Sequence, residues 1–269
     1  MAEDLSVQYY DTSNLEGVSI SSTSYRNHYF PRHFHDHYTI QLIEEGVNEG
    51  FTESDSYKIG DGGLLLINPG ELHAGNSLDN QTLKFHTIRI EEKLIRAICE
   101  RNEIFQHTDL RFNTRPIYRQ ESSARMRTLI ADITAGRVMD IEASFEELFM
   151  ILIQNHSNTK VPTRPTAHTH LDLARQFICD HFREELTLGQ IAENCHLSPY
   201  HFSRQFKKKY GLTPFQYLRN VRIEKAKALL TKHSISQTAL QTGFFDHSHF
   251  LRNFKRIEGV VPSCFLKAN

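Results

Sequence analysis

Ser198-Pro199-Tyr200-His201-Phe202-Ser203-Arg204-Gln205-Phe206-Lys207 decides how this chain is read, because the stretch occurs twice. It returns as Asp246-His247-Ser248-His249-Phe250-Leu251-Arg252-Asn253-Phe254-Lys255, each matched pair standing 48 residues apart. Downstream, Gly211, Pro214 and Tyr217 are echoed by Gly259, Pro262 and Phe265. A capping residue, two phenylalanines four apart, and an arginine and a lysine off their seam describe a short helix with one buried face and one basic face. Ser198 and Asp246 fit the N-cap, where a side-chain oxygen satisfies a free backbone N–H. Two such helices in one chain point to a protein that meets double-stranded DNA at two places.

Working outward, a short helix precedes each copy, Ile191–Cys195 and Ser236–Thr242, after a turn signal such as Thr187-Leu188-Gly189-Gln190. The pairs read as helix-turn-helix units, whose second helix lies in the major groove. Between them Thr213-Pro214 opens a long helix to Leu230, with proline in the first turn, where its missing N–H costs nothing. The amphipathic run Leu171–Phe182 leads the set and Pro262–Leu266 closes it. With the phenylalanines inward, Tyr200, Ser203, Arg204, Lys207 and Lys208 face outward on the first helix. His247, Ser248, Leu251, Arg252 and Lys255 do so on the second. Arg204 and Arg252 suit guanine O6 and N7. Lys207, Lys208, Lys209 and Lys255 suit phosphates, which position without specifying sequence. The two turns differ: His196 lies six residues before Phe202, Gly243 seven before Phe250.

Charge divides the chain the same way. Residues 170–269 carry 15 Lys and Arg against 8 Asp and Glu, whereas residues 1–169 carry 16 against 24, so a net charge of −1 hides a basic half joined to an acidic one. Only the C-terminal half is built to meet a polyanion. The 269 residues, 39% hydrophobic and 23% charged, allow two soluble domains. No apolar run approaches a membrane span, and the N-terminus lacks signal-peptide features. Cys99, Cys179, Cys195 and Cys264 are scattered without metal-site spacing, as in reduced cytosolic proteins. A cytoplasmic location is expected.

Residues 18–90 read as strands, among them Val18–Tyr25, Tyr38–Ile43, Gly63–Ile67 and Thr82–Ile90, broken at Glu45-Gly46, Asp61-Gly62-Gly63 and Asn68-Pro69-Gly70. Short strands with tight turns predict a small antiparallel barrel or sandwich. Accessory helices follow, with one-sided patterns at Leu94, Ile95 and Ile98, and at Met126, Leu129, Ile130 and Ile133. Ile141, Phe145, Leu148, Phe149 and Leu152 form a further stripe, suited to packing on the barrel, to a subunit interface, or to both. Residues 155–170, polar with two prolines and no apolar period, read as a linker. The expected division is therefore a β-barrel domain over 1–155, a linker over 156–170, and an all-α double helix-turn-helix domain over 171–269.

The C-terminal half resembles the DNA-binding domain of the AraC/XylS transcription regulators. The resemblance rests on Ile191-Ala192-Glu193, His196-Leu197-Ser198, Phe202-x-Arg204-x-Phe206-Lys207, Gly211-x-Thr213-Pro214-x-x-Tyr217, and Arg222 with Ala226 and Leu229-Leu230. It continues through Gly243-Phe244-x-Asp246 and Phe250-x-Arg252-x-Phe254-Lys255. By that resemblance, two recognition helices joined by a long helix enter adjacent major-groove segments on one DNA face. The sequence departs from the pattern late, at Val260-Val261-Pro262 and Leu266, where phosphate contacts are otherwise common. Pro31-Arg32-His33-Phe34-His35-Asp36-His37-Tyr38, and Gly63 through His73, are similar to the cupin-like effector domain of the same family.

That likeness implies a barrel holding a small-molecule effector, in which His33, His35 and His73 serve either as structural, hydrogen-bonding histidines or, with Tyr38 and Glu71, as effector contacts, and His37 is exposed or at the rim. Cupin enzymes hold iron or manganese with such histidines and a carboxylate. Here Tyr38, Thr39, Ile40 and Gln41 fill the stretch where the glutamate belongs, so no metal or other cofactor is expected. Catalytic motifs such as a phosphate loop, HExxH or Gly-x-Ser-x-Gly are missing from the sequence. The expected function is a transcription regulator, in the activator sense, that binds promoter DNA as a homodimer, answers a small molecule and works with RNA polymerase. The alternatives are a metal-dependent cupin enzyme fused to a DNA-binding domain, and a regulator controlled by a protein partner.

Overall fold

The computed structural model describes residues 5–12, 15–52, 55–77, 81–102, 110–113, 115–135, 141–157 and 170–266. They form two compact units, one mainly of strands with three helices and one mainly helical. In the first unit the strands are β1 (Ser6–Tyr9), β2 (Val18–Tyr25), β3 (Tyr29–His33), β4 (His37–Glu45), β5 (Asn48–Phe51), β6 (Ser56–Ile59), β7 (Leu64–Ile67), β8 (His73–Ser77) and β9 (Leu83–Glu91). They make a five-stranded sheet, β1-β2-β9-β4-β7, and a four-stranded sheet, β3-β8-β5-β6. The expected turns hold left-handed glycines: φ is 85° at Gly46, 76° at Gly62 and 73° at Gly70. Gly46 is required twice over, since a Cβ there would lie 2.3 Å from the Thr82 carbonyl oxygen.

The five-stranded sheet is covered on both faces, and the pleat decides which residue goes where. Val18, Ile20, Tyr38, Ile40, Leu42, Ile88 and Ile90 join a core with α1 (Glu92–Arg101), α2 (Gln120–Thr134) and α3 (Ile141–His156). Tyr25, Ile43, Leu65, Ile67, Leu83 and Phe85 pack on the other side with Tyr57 and Ile59 of the second sheet. The α3 stripe is used within its own subunit: Phe145, Leu148, Phe149 and Leu152 are all at most 2% exposed. The seam that could have served a subunit interface is thus spent on intramolecular packing.

The second unit holds α4 (His170–Asp180), α5 (Leu188–Glu193), α6 (Pro199–Tyr210), α7 (Pro214–Leu230), α8 (Ile235–Gln241), α9 (His247–Glu258) and α10 (Pro262–Leu266). The sequence starts α5 three residues late. Thr187 accepts from the Gln190 backbone N–H while the Gln190 side chain returns to Thr187 N, a reciprocal cap that starts the helix at Leu188. The same box, Ser234 with Gln237, opens α8, and Thr213 with Gln216 opens α7. Most of the expected linker falls on residues 158–169, outside the described residues. No helix among the described residues is long and apolar enough to cross a membrane.

Candidate functional site

The repeated helices are built alike. Ser198 Oγ accepts from His201 N at 3.5 Å, and Asp246 Oδ1 accepts from His249 N at 2.6 Å. Gly211 and Gly259 end the two helices in the left-handed conformation, at φ 68° and 79°. Phe202, Phe206, Phe250 and Phe254 are wholly buried. Their rings stand 5.3 Å apart in the first helix and 5.6 Å in the second, both at 61°. The seam therefore fixes the same outward face in each copy. On that face Tyr200, Arg204, Lys207 and Lys208 are exposed in α6, and His247, Ser248, Arg252 and Lys255 in α9.

Three expected residues behave differently. Ser203 is partly buried, and Leu251 packs against the core around Ile223, Phe250 and Phe254, so its side chain serves stability as much as any ligand. Lys209 does not join the phosphate-facing set: its ammonium pairs with Asp172 Oδ1 at 2.7 Å, and the neighbouring Tyr210 hydroxyl donates to the same oxygen at 2.6 Å. Sequence reasoning also passed over Phe245, which is 94% exposed beside the α9 cap.

The scaffold that holds these helices is tied by backbone approaches. Arg222 donates from Nε to Phe182 O at 2.7 Å and from Nη2 to Glu184 O at 2.8 Å, with its guanidinium over the Phe244 ring. Burial lowers its pKa from the usual arginine value, with like-charged Arg219 adding to the effect. The turn before α9 presses on the same segment, since a Cβ on Gly243 would lie 2.7 Å from Arg183 O. In the turn before α6 the left-handed residue is instead His196, at φ 55°. Tyr217, buried under α6, has its pKa pushed up to about 12, chiefly by desolvation.

In the β-rich unit the expected effector residues divide. His35 and His73 lie together, with ring centroids 5.2 Å apart, and His35 stacks on His37 at 4.7 Å. His37, expected at the rim, is instead buried, and its Nδ1 lies 3.5 Å from Asp36 Oδ1. His73 Nδ1 lies 3.0 Å from Glu71 O, and His33 Nδ1 2.7 Å from Pro31 O. A carbonyl can only accept, so both rings carry their proton on Nδ1. Tyr38 is not with them. It sits on the opposite face of β4, inside the helix-packed core, and its hydroxyl donates to Leu110 O at 2.8 Å. Glu71 braces a loop, its Oε2 accepting from Asn68 N and Nδ2 at 3.2 and 2.7 Å.

The strand register adds residues that the sequence reading missed. Ser19, Arg89, Thr39 and Ile67 lie in one row across the sheet, and Ser21, Thr87, Gln41 and Leu65 in the next. These rows share the face of Phe85, Ile43 and Leu83, so they look toward the second sheet. Along β2, β9 and β4 this face is thus polar toward one end and apolar toward the other, while β7 stays apolar. Alternating polar residues in Tyr38–Ile43 and Phe85–Ile90 were the available signal, but alternation alone reads as a solvent face.

Residues 17–164 match the AraC-like ligand binding domain, and residues 191–268 match a helix-turn-helix domain. The chain is 31% identical over 223 residues to the HTH-type transcriptional regulator YbfI of Bacillus subtilis, spanning 82% of this chain and 81% of that protein. It is 28% identical over 240 residues to the HTH-type transcriptional activator RhaS of Escherichia fergusonii, spanning 87% and 86%. In fold it is similar to a crystal structure of apo ToxT from Vibrio cholerae, with TM-score 0.59 and 14% identity over 97% of this chain and 99% of that one. A structure of ToxT bound to an unsaturated fatty acid matches at TM-score 0.57 and 14% identity, over 96% of each chain.

Proposed function

The chain belongs to the AraC family of transcription regulators, with an effector-binding domain ahead of a helix-turn-helix domain, and we propose that it is a sequence-specific activator governed by a small molecule in its barrel. The carrying observation is the duplicated face: two helices with matched caps, matched phenylalanine seams and exposed arginines at equivalent positions, Arg204 and Arg252. Those arginines read bases, while Lys207, Lys208 and Lys255 hold phosphates and set register. Tyr200, Ser203, His247, Ser248 and Leu251 complete the two contact faces. The activator sense follows the relatives named RhaS. Relatives of this kind are regulators, and we read this chain as a non-enzyme.

Charge supports the division of labour, since the basic half carries both arginines and the acidic half carries the barrel. A homodimeric state, RNA polymerase as partner and a cytoplasmic location extend this reading from the family resemblance rather than from any surface described above. Footprinting of the full chain on promoter fragments tests the reading. Protection is expected over two neighbouring major-groove segments about one helical turn, roughly 10 base pairs, apart. Protection of one segment only, or none with sequence preference, would contradict it.

A further inference from the structure

Arg89 is half-buried on the barrel-facing side of β9, in one row with Ser19 and Thr39. Its Nη1 donates to Ser21 Oγ at 3.0 Å, and no ion pair links it to a carboxylate among the described residues. Around it, Ser21, Thr39 and Thr87 are at most 3% exposed. The hydroxyls of Thr39 and Thr87 are buried without a hydrogen-bond partner. A partly buried guanidinium beside unsatisfied hydroxyls favours an anion that adds charge-assisted hydrogen bonds. Gln41, on the same face next to Thr87, adds an amide.

We propose that this polar end of the barrel binds a small hydroxylated carboxylate, such as a uronate or aldonate, as the effector. The carboxylate accepts from the Arg89 fork, and the partly exposed Gln41 amide on the same face pairs with the ligand's hydroxyl groups, with the buried Thr39 and Thr87 hydroxyls behind this contact. One guanidinium balances one negative charge, which favours a monoanionic carboxylate over a phosphate dianion. The apolar end, with Ile43, Leu83 and Phe85, closes the interior behind the ligand. The inference rests on the proposed regulator reading for its biological sense, but its chemistry is independent of DNA.

The test uses the full chain and matched probes at equal ionic strength: gluconate against sorbitol, galacturonate against galactose, and glucose 6-phosphate as the phosphate arm. Thermal unfolding and calorimetric titration should show that at least one acid binds, while its neutral partner does so at least tenfold more weakly. Arg89→Gln should weaken that acid at least tenfold, and Arg89→Lys should restore part of the loss. Should Arg89→Gln fail to fold, Gln41→Leu supplies the second variant, with a several-fold loss of acid affinity expected at unchanged circular dichroism. Neutral sugars binding as well as acids, a preference for the phosphate, affinity indifferent to Arg89 and Gln41, or no acid binding up to tens of millimolar would each overturn the proposal. A footprint taken on the same samples separates the two claims. DNA protection without acid binding sinks this inference alone, whereas acid binding with no DNA protection supports it and sinks the regulator reading.

Discussion

The two helix-turn-helix units share a register of caps, phenylalanines and terminal glycines, yet each is anchored by different chemistry. The end of α6 is tied to α4, where Lys209 and Tyr210 both reach Asp172. Beneath it Phe206 meets Tyr210 and Tyr217, with centroids 4.5 and 5.6 Å away. The end of α9 is tied to α7 by charge at low exposure: Lys227 lies 2.7 Å from Glu224 and 3.3 Å from Glu258. Its Phe254 meets Phe265 at 5.7 Å, the residue that repeats Tyr217. What repeats is what presents an outward face at a fixed angle. What varies is what each copy needs to stay on a different neighbour.

The largest effects should come from the shared seam. Phe206→Ala and Phe254→Ala each remove a wholly buried ring and should cost about 3–5 kcal/mol of stability in urea unfolding. Near-equal losses would show that the seam outweighs the differing anchors. A loss under about 1 kcal/mol at either site would break the equivalence of the copies. The turns should differ more sharply. Gly243→Ala should cost roughly 1–3 kcal/mol, because its φ of 78° and the approach of Arg183 O leave no place for a Cβ. His196→Gly, at φ 55° in the other turn, should change stability by less than about 1 kcal/mol. The caps come last. Asp246→Ala should cost about 1–2 kcal/mol and Ser198→Ala about 0.5 kcal/mol, since the first bond is charged and 2.6 Å long and the second is 3.5 Å. Equal values from thermal unfolding would mean that cap geometry does not distinguish the copies.

The recognition helices were legible because caps and seams are local, and the repeat supplied a second, independent reading of each. The start of α5 was obscured by Gly189, which looks like a breaker but sits inside a Thr187–Gln190 capping box. In the barrel, the tight turns at Gly46, Gly62 and Gly70 were plain from sequence, whereas short strands such as β5 and β6 carry too few residues to show a period. The family likeness sets Tyr38 with the histidines, but the pleat sends it to the other face. Arg89, Thr39 and Thr87 were passed over for the converse reason. Polar residues alternating with apolar ones imply solvent, and only a second sheet, which pairs residues distant in sequence, turns that face into an interior.

The most direct measurement of the central claim is operator selection from randomised duplexes by the wild-type chain, Arg204→Ala and Arg252→Ala. The expected result is that each variant loses about 1–3 kcal/mol of specific affinity and relaxes preference in its own segment, the two segments lying about one helical turn apart. Unchanged selection by both variants, or relaxation of the same base pairs by each, would contradict the reading of one duplex by two repeated helices.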